Sequence, residues 1–434
     1  MKNRRASSQA GYLRKLLRGR IPGQLVIQIT DLCNAKCPQC GMRATNPFER
    51  TRLSSDQVKR LIDAAASQGF KAISFTGGEP LLFLNQLVDY IRHARSAGLE
   101  FIRTGTNGFM FARPEKPGFR DRVKRAVDKL ADTPLRNFWI SIDSAVPGVH
   151  EAMRGFPSLI RGLEYALPMF HAAGLYPSAN LGINRNIAGS GTEAIPEVTS
   201  KNADKELERF YHRVKEAFAR FYRFVLDLGF TMVNTCYPMS IEENGPLEAV
   251  YEATSRDMIV RFSEVEKAVL FKALLETLPL FRPKIRIFTP RVSLLALQRQ
   301  YSRQVEDAYP CRGGLDFFFV DSRSGGTFPC GYRCPDNLGK LWDLDIDRIP
   351  RADCRRCDWE CFRDPSEMFG PILPGLIHPL DLLRRFLRDP EYFRLWKEDW
   401  RYYRACDWFN GRKAPDYGKL GRFESSRTAS FRVE

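Results

Sequence analysis

Short β-type runs alternate with helical patterns from Gln24 to about Pro290. Six runs are candidate strands: Gln24–Thr30, Lys71–Thr76, Leu99–Thr104, Asn137–Asp143, Ser178–Ile183 and Thr231–Tyr237. The helical segments between them are Ser55–Gln68, Leu84–Ala97, Phe119–Ala131, Ser158–Ala173 and Asn202–Leu228. Strands that alternate with helices form βαβ crossovers and hence a parallel sheet. The pattern therefore predicts an α/β protein built on a partial (β/α)6 TIM-type barrel.

The pattern changes after about Pro290, and we divide the chain accordingly. Residues 24–290 form the predicted barrel, with a further helix (Ser255–Leu278) and a strand-like run (Lys284–Phe288) that close or flank it. Residues 291–370 are rich in Gly, Asp and Cys around one strand, Phe317–Asp321, and predict a small metal-stapled domain. Residues 1–23 form a basic arm, and residues 371–434 predict a helical aromatic tail that frays at its end.

Composition narrows the class of protein. The 434 residues are 44% hydrophobic and 27% charged, which is ordinary for a packed globular protein and excludes collagen-like and wholly disordered chains. No stretch approaches the roughly 18 apolar residues of a membrane span, and no apolar segment of a secretory signal follows the basic arm. We therefore expect a cytoplasmic protein, in which eleven cysteines are metal ligands or buried thiols rather than disulfides.

The net charge of +16 is concentrated at one end of the chain. Met1 to Gly23 carries seven Lys or Arg and no acid, so the other 411 residues contribute only +9. A basic arm of this kind fits nucleic acid, anionic lipid or an acidic partner, but it is also typical of a solvated tail that ends in a short helix.

The first chemical signal is a group of three cysteines directly after the first predicted strand. Cys33, Cys37 and Cys40 have the spacing Cys-x3-Cys-x2-Cys, which lets three thiolates wrap one metal centre and leaves a coordination position open. Zinc sites usually take four ligands from paired Cys-x2-Cys knuckles, whereas here the next cysteine is nearly 200 residues away. An iron–sulfur cluster with three protein ligands fits better.

A second signal, Thr76-Gly77-Gly78-Glu79-Pro80, ends the next strand. Its glycines predict the close approach of a small ligand to the backbone, and Glu79 offers a carboxylate to a cationic group. Together with the cysteine triad, this turn resembles the radical S-adenosylmethionine (radical SAM) superfamily. Each motif follows a different predicted strand, at the end of a barrel where active sites assemble.

The resemblance implies the cofactors and their ligands. It implies a [4Fe–4S] cluster on Cys33, Cys37 and Cys40, whose unique iron chelates S-adenosylmethionine. The residues that it implies around the cofactor are Gly77, Gly78, Glu79, Asn107, Ser141, Asp143, Arg154 and Asn184. Two positions depart from the family pattern: Gln39 stands where an aromatic residue is usual, and the fifth-strand pattern survives only as Gly182-Ile183, without its Glu.

A second cysteine group lies in the C-terminal part. The spacing Cys-x13-Gly-x4-Cys followed by Cys-x2-Cys resembles the SPASM/Twitch extensions of radical SAM enzymes, which hold auxiliary clusters. Six cysteines are fewer than the seven of a full SPASM set, so we expect one auxiliary [4Fe–4S] cluster. The expected ligands are Cys311, Cys330, Cys354 and Cys357, with Cys361 and then Cys334 as alternates. A zinc ribbon on the same cysteines is the alternative.

The resemblance implies reductive cleavage of S-adenosylmethionine to methionine and a 5′-deoxyadenosyl radical, which removes hydrogen from a substrate. We expect peptide or protein modification, with dehydrogenation of a small sugar or cyclitol as the alternative, and an external one-electron reductant of flavodoxin or ferredoxin type. A hypothesis from another class is a non-catalytic, zinc-stapled nucleic-acid-binding protein, suggested by the charge and the aromatic tail. Nucleic acid is the less favoured partner because the charge is concentrated in the arm. Cys236 and Cys406 are expected to be bystanders.

Overall fold

The computed structural model describes residues 15–17, 19–199, 203–238, 248–251, 254–303, 309–349, 354–355, 358–373 and 379–424. The strands in these residues are β1 (Gln24–Thr30), β2 (Ala72–Gly77), β3 (Phe101–Thr106), β4 (Asn137–Ser141), β5 (Ser178–Gly182), β6 (Met232–Cys236), β7 (Arg286–Ile287), β8 (Phe317–Val320) and β9 (Thr327–Phe328). The α-helices are α1 (Ser55–Ser67), α2 (Leu84–Ser96), α3 (Phe119–Ala131), α4 (Pro147–Arg154), α5 (Leu159–Ala172), α6 (Ala203–Asp227), α7 (Glu264–Phe281), α8 (Arg291–Tyr301), α9 (Glu360–Phe369), α10 (Pro379–Arg388), α11 (Pro390–Ala405) and α12 (Tyr417–Leu420).

The strands form one open sheet in the order β7-β6-β5-β4-β3-β2-β1-β8-β9. Every neighbouring pair is parallel except β8 and β9, which form an antiparallel pair. Consecutive strands from β1 to β7 are neighbours because a helical crossover returns the chain to the same edge each time. The predicted α/β fold with a partial barrel is confirmed, and the carboxyl ends of β1 to β6 meet at one end of the sheet.

The six predicted strands all form, with ends that shift by up to two residues. The predicted helix Ser255–Leu278 begins later than expected, at Glu264. Ser263 explains the shift, because its hydroxyl accepts the Glu266 backbone N–H while the Glu266 carboxylate accepts the Ser263 N–H at 2.8 Å. Helix α4 was not predicted, since its eight residues are too few to show a clear helical period.

The strand expected within the C-terminal segment joins the barrel sheet. Phe317 to Val320 pairs in parallel with Gln24 to Ile27 of β1, so the first strand has neighbours on both sides. The cysteine-containing segment that follows is therefore attached to the barrel by a hydrogen-bonded ladder as well as by the chain itself.

The aromatic tail folds against the last part of the barrel. Asp399 of α11 forms a buried ion pair with Arg282 at 2.6 Å and accepts the Val292 backbone N–H at 2.8 Å. The Tyr402 hydroxyl donates to Ile285 O and accepts from Ile287 N, which satisfies backbone groups beside β7. Within the residues described, no helix is both long enough and apolar enough to cross a membrane.

Gly162 in α5 gives a sharp test of this packing. A Cβ atom at this position would lie 1.6 Å from the Phe111 carbonyl oxygen, whereas one on Gly148 of α4 would meet nothing within 4 Å. We expect Gly162→Ala to lower the free energy of unfolding by about 1–3 kcal/mol or more, because the backbone must move. Denaturant titration measures the change, and Gly148→Ala is the control that should leave stability unchanged or raise it. Equal effects of the two substitutions would contradict the packing.

Candidate active site

One guanidinium holds the shape of the loop after β1. The Arg50 Nη1 atom donates to Asp31 O and to Met42 O, both at 2.8 Å, and Nη2 donates to Arg43 O and to Asn46 O, both at 2.9 Å. These four carbonyls come from both ends of the loop that carries the three cysteines. Sequence reasoning missed this residue, because an arginine in a polar loop has no pattern that distinguishes it from a solvated charge.

The three cysteines occupy a buried part of this loop. The side chain of Cys37 is buried, and those of Cys33 and Cys40 are half-buried. Burial raises the pKa of all three thiols, that of Cys40 to about 12, and the charge of neighbouring cysteines raises the pKa of Cys37 and Cys40 further. The site therefore favours thiolates only if a cationic centre sits among them.

The two glycines after β2 make room for the cysteine loop. A Cβ on Gly77 would lie 2.1 Å from Thr30 O, and one on Gly78 would lie 2.1 Å from Leu32 O. Gly77 also has a φ of +144°, in the region that favours glycine. The Gly78 N–H donates to Thr30 O and the Glu79 N–H donates to Leu32 O, both at 2.8 Å. The atoms that approach these glycines are thus the protein's own backbone, whereas the sequence predicted a small ligand.

The Glu79 side chain is fully buried, and its carboxylate accepts hydrogen bonds from other residues of the protein. One carboxylate oxygen accepts the Leu81 N–H at 2.9 Å, and the other accepts the Asn107 N–H at 2.6 Å. Burial raises the pKa of Glu79 to about 7, against the lowering effect of these hydrogen bonds. The Asn107 amide in turn donates to Asn34 Oδ1 at 2.9 Å and lies 3.7 Å from Cys33 Sγ. Glu79 therefore links the end of β3 to the cysteine loop, and each of its carboxylate oxygens accepts one backbone amide.

An acid–base cluster closes the other side of the site. Arg154 forms an ion pair with Asp143 at 2.7 Å, and both side chains are buried. Burial alone would lower the pKa of Arg154, but Asp143, Cys37 and Cys40 raise it. The guanidinium is therefore a fixed positive charge beside the thiols.

Two further predicted residues lie around Asp143. The side chain of Asn184 donates to Asp143 O at 2.9 Å and to Gly182 O at 2.8 Å, so it joins the ends of β4 and β5. Ser141, half-buried, lies two residues before Asp143 and is paired with Asn180 of β5. The structure thus places the predicted cofactor residues at the carboxyl ends of β2 to β5 or just beyond them, except for Arg154, which is the last residue of α4.

A chain of polar groups lies on the face of the sheet that meets the start of α9, which we call the inner face. Asn234 Nδ2 donates to Glu360 Oε1 at 3.0 Å, and the Cys361 thiol donates to Glu360 Oε2 at 3.2 Å. The Cys236 thiol donates to Asn180 Oδ1 at 3.4 Å, and Asn234 Nδ2 also donates to that oxygen at 3.0 Å. Sequence reasoning missed Glu360 and Asn234, because only the fold brings α9 onto β6.

The inner face connects to the cysteine loop through a tyrosine. The Tyr251 hydroxyl lies 3.0 Å from Thr76 Oγ1 at the end of β2. Burial raises the pKa of Tyr251, and Cys40, Cys361 and Cys236 are among the charges that raise it further. The Tyr251 hydroxyl is therefore near enough to Cys40 and to the two thiols of the inner face for their charges to affect its pKa.

The second cysteine group is only partly as predicted. The Cys311 N–H donates to Cys354 O at 2.8 Å, and burial raises the pKa of Cys330 to about 12 with Cys311 and Cys354 adding to the rise. Cys361 faces the inner face beside Cys236 instead, because it begins the helix that packs on β6. Cys334 is exposed. Cys357, an expected ligand, lies outside the described residues.

The sequence profile of the radical SAM superfamily matches residues 27–176, which span β1 to the end of α5 and include every cofactor residue named above except Asn184. This part of the chain is a radical SAM domain. The protein is an enzyme, and the hypothesis of a non-catalytic nucleic-acid-binding protein is wrong. Radical SAM enzymes bind a [4Fe–4S] cluster and S-adenosylmethionine.

Individual relatives differ in how much of the chain they share. An AdoMet-dependent heme synthase of Methanosarcina barkeri is 25% identical over 352 residues, which is 80% of this chain and 87% of that protein. A GTP 3′,8-cyclase of Heliobacterium modesticaldum is 31% identical over 137 residues, which is 28% of this chain and 42% of that protein. The crystal structure of Streptococcus suis SuiB bound to precursor peptide SuiA aligns with a TM-score of 0.49 at 15% identity, over 78% of this chain and 67% of that one.

The residues at the radical SAM site fit a [4Fe–4S] cluster and S-adenosylmethionine. Within the described part of the chain, no three His, Cys, Asp or Glu side chains could hold one metal ion. A [4Fe–4S] cluster does not need such convergence, because each thiolate binds a different iron. Among the described residues, Gln39 Oε1 and Arg154 Nε are buried without hydrogen-bond partners, which leaves polar atoms at the site for a ligand.

Arg50 can be tested separately from the cysteines. Arg50→Gln removes the guanidinium that binds four loop carbonyls. We therefore expect the affinity of the protein for iron to fall about tenfold or more. Iron analysis after anaerobic reconstitution and competition with a chelator measures the loss. Arg52→Gln, an exposed change in the same loop, is the control and should retain iron as the parent does. If both variants lose iron equally, the hydrogen bonds of the Arg50 guanidinium are not what holds the loop in place.

The buried His150 predicts a pH effect on stability. Its Nδ1 atom accepts the Asp143 N–H at 3.1 Å, and burial lowers its pKa well below the usual value of about 6.5. As pH falls below that value, the unfolded chain binds a proton that the folded chain excludes, so the free energy of unfolding falls. In iron-free protein, we expect the parent to lose about 1–2 kcal/mol between pH 7 and 5 relative to His150→Asn, which keeps an acceptor. Urea titrations at both pH values measure the free energy of unfolding. Equal losses in the parent and in His150→Asn would contradict the prediction.

Proposed function

We propose that the chain is a radical SAM enzyme that removes hydrogen from a peptide or protein and thereby oxidises or modifies it. The observation that carries this proposal is that one buried thiol (Cys37) and two half-buried thiols (Cys33 and Cys40) lie with the Asp143–Arg154 pair and the Glu79–Asn107 link at neighbouring strand ends. A cluster held by Cys33, Cys37 and Cys40 supplies, when bound, the electron that cleaves S-adenosylmethionine to methionine and a 5′-deoxyadenosyl radical.

The residues around the thiols have separate tasks in this proposal. Arg154 offsets the negative charge of the thiolates and presents a free Nε–H to an anionic group of the cofactor. Asp143 keeps that guanidinium in place, and Glu79 positions Asn107 beside Cys33. Gly77 and Gly78 act through their backbone, since their side-chain space is filled by the loop, while Ser141 and Asn184 complete the polar wall.

The inner face supports a polar substrate. Glu360, Asn180 and Asn234 present carboxylate and amide groups that match the donors and acceptors of a peptide backbone. The same groups match the hydroxyls of a sugar or cyclitol, so a small-molecule dehydrogenase is the second candidate. Cys236 belongs to this wall and is not isolated from the site as a bystander would be.

We assign one auxiliary [4Fe–4S] cluster to the second cysteine group, with Cys311, Cys330 and Cys354 as ligands and Cys357 as the fourth. Cys354 raises the pKa of Cys311, Cys311 and Cys354 raise that of Cys330, and the Cys311 N–H donates to Cys354 O, so the nearness of the three residues supports the assignment. The position of Cys361 on the inner face argues against it as the alternate ligand. The enzyme would act in the cytoplasm, with an external flavodoxin- or ferredoxin-type reductant.

Turnover of S-adenosylmethionine tests the proposal. We expect anaerobically purified, reconstituted protein to contain iron and sulfide and to form 5′-deoxyadenosine with dithionite. Cys37→Ala should abolish that product and lower the iron content, because it removes a cluster ligand. Cys406→Ala, which changes a buried cysteine in the tail, is the control and should keep both. Iron-replete protein that forms no 5′-deoxyadenosine would contradict the proposal.

The substrate can be found through the hydrogen that it loses. The enzyme is incubated with S-adenosylmethionine, dithionite and fractions of a fully deuterated cell extract. Deuterium in 5′-deoxyadenosine identifies the active fraction, and protease treatment of that fraction separates the two candidates. Loss of deuterium transfer after proteolysis supports a peptide substrate, and its persistence supports a small molecule.

A further inference from the structure

Helix α10 presents a row of leucines to solvent. Leu380, Leu383 and Leu387 are 68%, 55% and 71% exposed, and their spacing of three and four residues places them on one face of the helix. Phe386, 41% exposed, extends this face. Four of the twelve exposed large apolar side chains in the described residues therefore lie within one helix of ten residues. Such concentration marks an interaction surface, because single exposed apolar residues are normally scattered.

Contacts along the borders of the leucine face and behind it fasten α10 to the protein. The Phe386 ring lies 5.2 Å from the ring of Phe393 in α11, and the Arg385 guanidinium lies 4.0 Å over the ring of Tyr309. Leu382 is half-buried against the core. These contacts hold the helix in one orientation, in which the leucines face the solvent.

Arginines border the leucine face. Arg384 and Arg388 are exposed. At about 100° per residue, viewed down the helix axis, their side chains lie about 40° and 80° from that of Leu380. The helix therefore has an apolar face with guanidinium groups along its edge. This is the pattern of helices that lie in the plane of a membrane interface, with apolar side chains in the acyl boundary and basic ones at the phosphates.

The charges favour a bilayer over a second copy of the chain. Two copies that met through this face would bring together chains that each carry a net charge of +16. An anionic bilayer offers an apolar layer and a layer of negative phosphates at the spacing that one amphipathic helix requires, and guanidinium binds phosphate in a bidentate manner. We propose that α10 docks the enzyme onto the surface of a membrane that contains anionic lipid.

Vesicle sedimentation with the full-length protein tests this docking. The probes are sucrose-loaded vesicles of phosphatidylcholine alone and of equal parts phosphatidylcholine and phosphatidylglycerol. We expect the protein to pellet with the mixed vesicles, to pellet much less with phosphatidylcholine alone, and to be released by high salt. Leu383→Glu with Leu387→Glu should weaken binding about tenfold or more, since it removes two apolar contacts and adds two negative charges.

Three controls keep the result interpretable. Val265→Glu changes an exposed apolar residue on α7 and should pellet as the parent does. Arg384→Gln with Arg388→Gln keeps the leucines and should lower binding to the mixed vesicles only, which covers the case in which the leucine variant misfolds. The leucine variant should still form 5′-deoxyadenosine, so its failure to bind lipid is separate from the radical chemistry.

Two outcomes would overturn the proposal. One is failure of the parent to pellet with the mixed vesicles, or pelleting that Leu383→Glu with Leu387→Glu leaves unchanged. The other is a dimer in light scattering that the leucine variant converts to a monomer without any vesicle binding, which would make this face an interface between copies.

Discussion

The contact between the loop after β1 and the glycine turn after β2 determines the rest of the site. The carbonyl oxygens of Thr30 and Leu32 occupy the space in which a side chain on residue 77 or 78 would begin. Because the loop can lie this close, the Gly78 and Glu79 N–H groups bind those same oxygens, and Glu79 is buried with its two amide partners. A larger residue in the turn would separate the thiols from the strand ends that carry the rest of the machinery.

Buried charge is the second constraint. Thiolates, Asp143 and Glu79 bring negative charge into a site from which water is largely excluded, and Arg154 supplies the positive charge nearest to them. A buried guanidinium cannot lose its positive charge by deprotonation, since its pKa lies far above the physiological range. Because burial raises the pKa of the three thiols, a cationic metal centre among them favours their thiolate forms.

Sequence patterns revealed the local chemistry well and the long-range packing poorly. The spacing of Cys33, Cys37 and Cys40 and the strand before them were readable, because both depend on residues a few positions apart. The role of Arg50 was not, since nothing in a loop sequence shows which carbonyls a guanidinium will reach. Cys361 was grouped with its sequence neighbours, but the start of α9 turns its thiol toward β6, more than 120 residues earlier in the chain. For the same reason, the pairing of β8 with β1 could not be read from the sequence.

The pairing of β8 with β1 has a consequence for how the chain is made. Strand β1 leaves the ribosome before β8 does, and one of its edges is completed only by residues 317–320. Until then that edge shows a row of unpaired N–H and C=O groups, directly beside the loop that carries the first three cysteines. A nascent chain that stops before residue 317 would present an open strand to other chains. Synthesis of the C-terminal third is therefore a step in building the N-terminal catalytic site, so the two parts of the enzyme cannot mature independently.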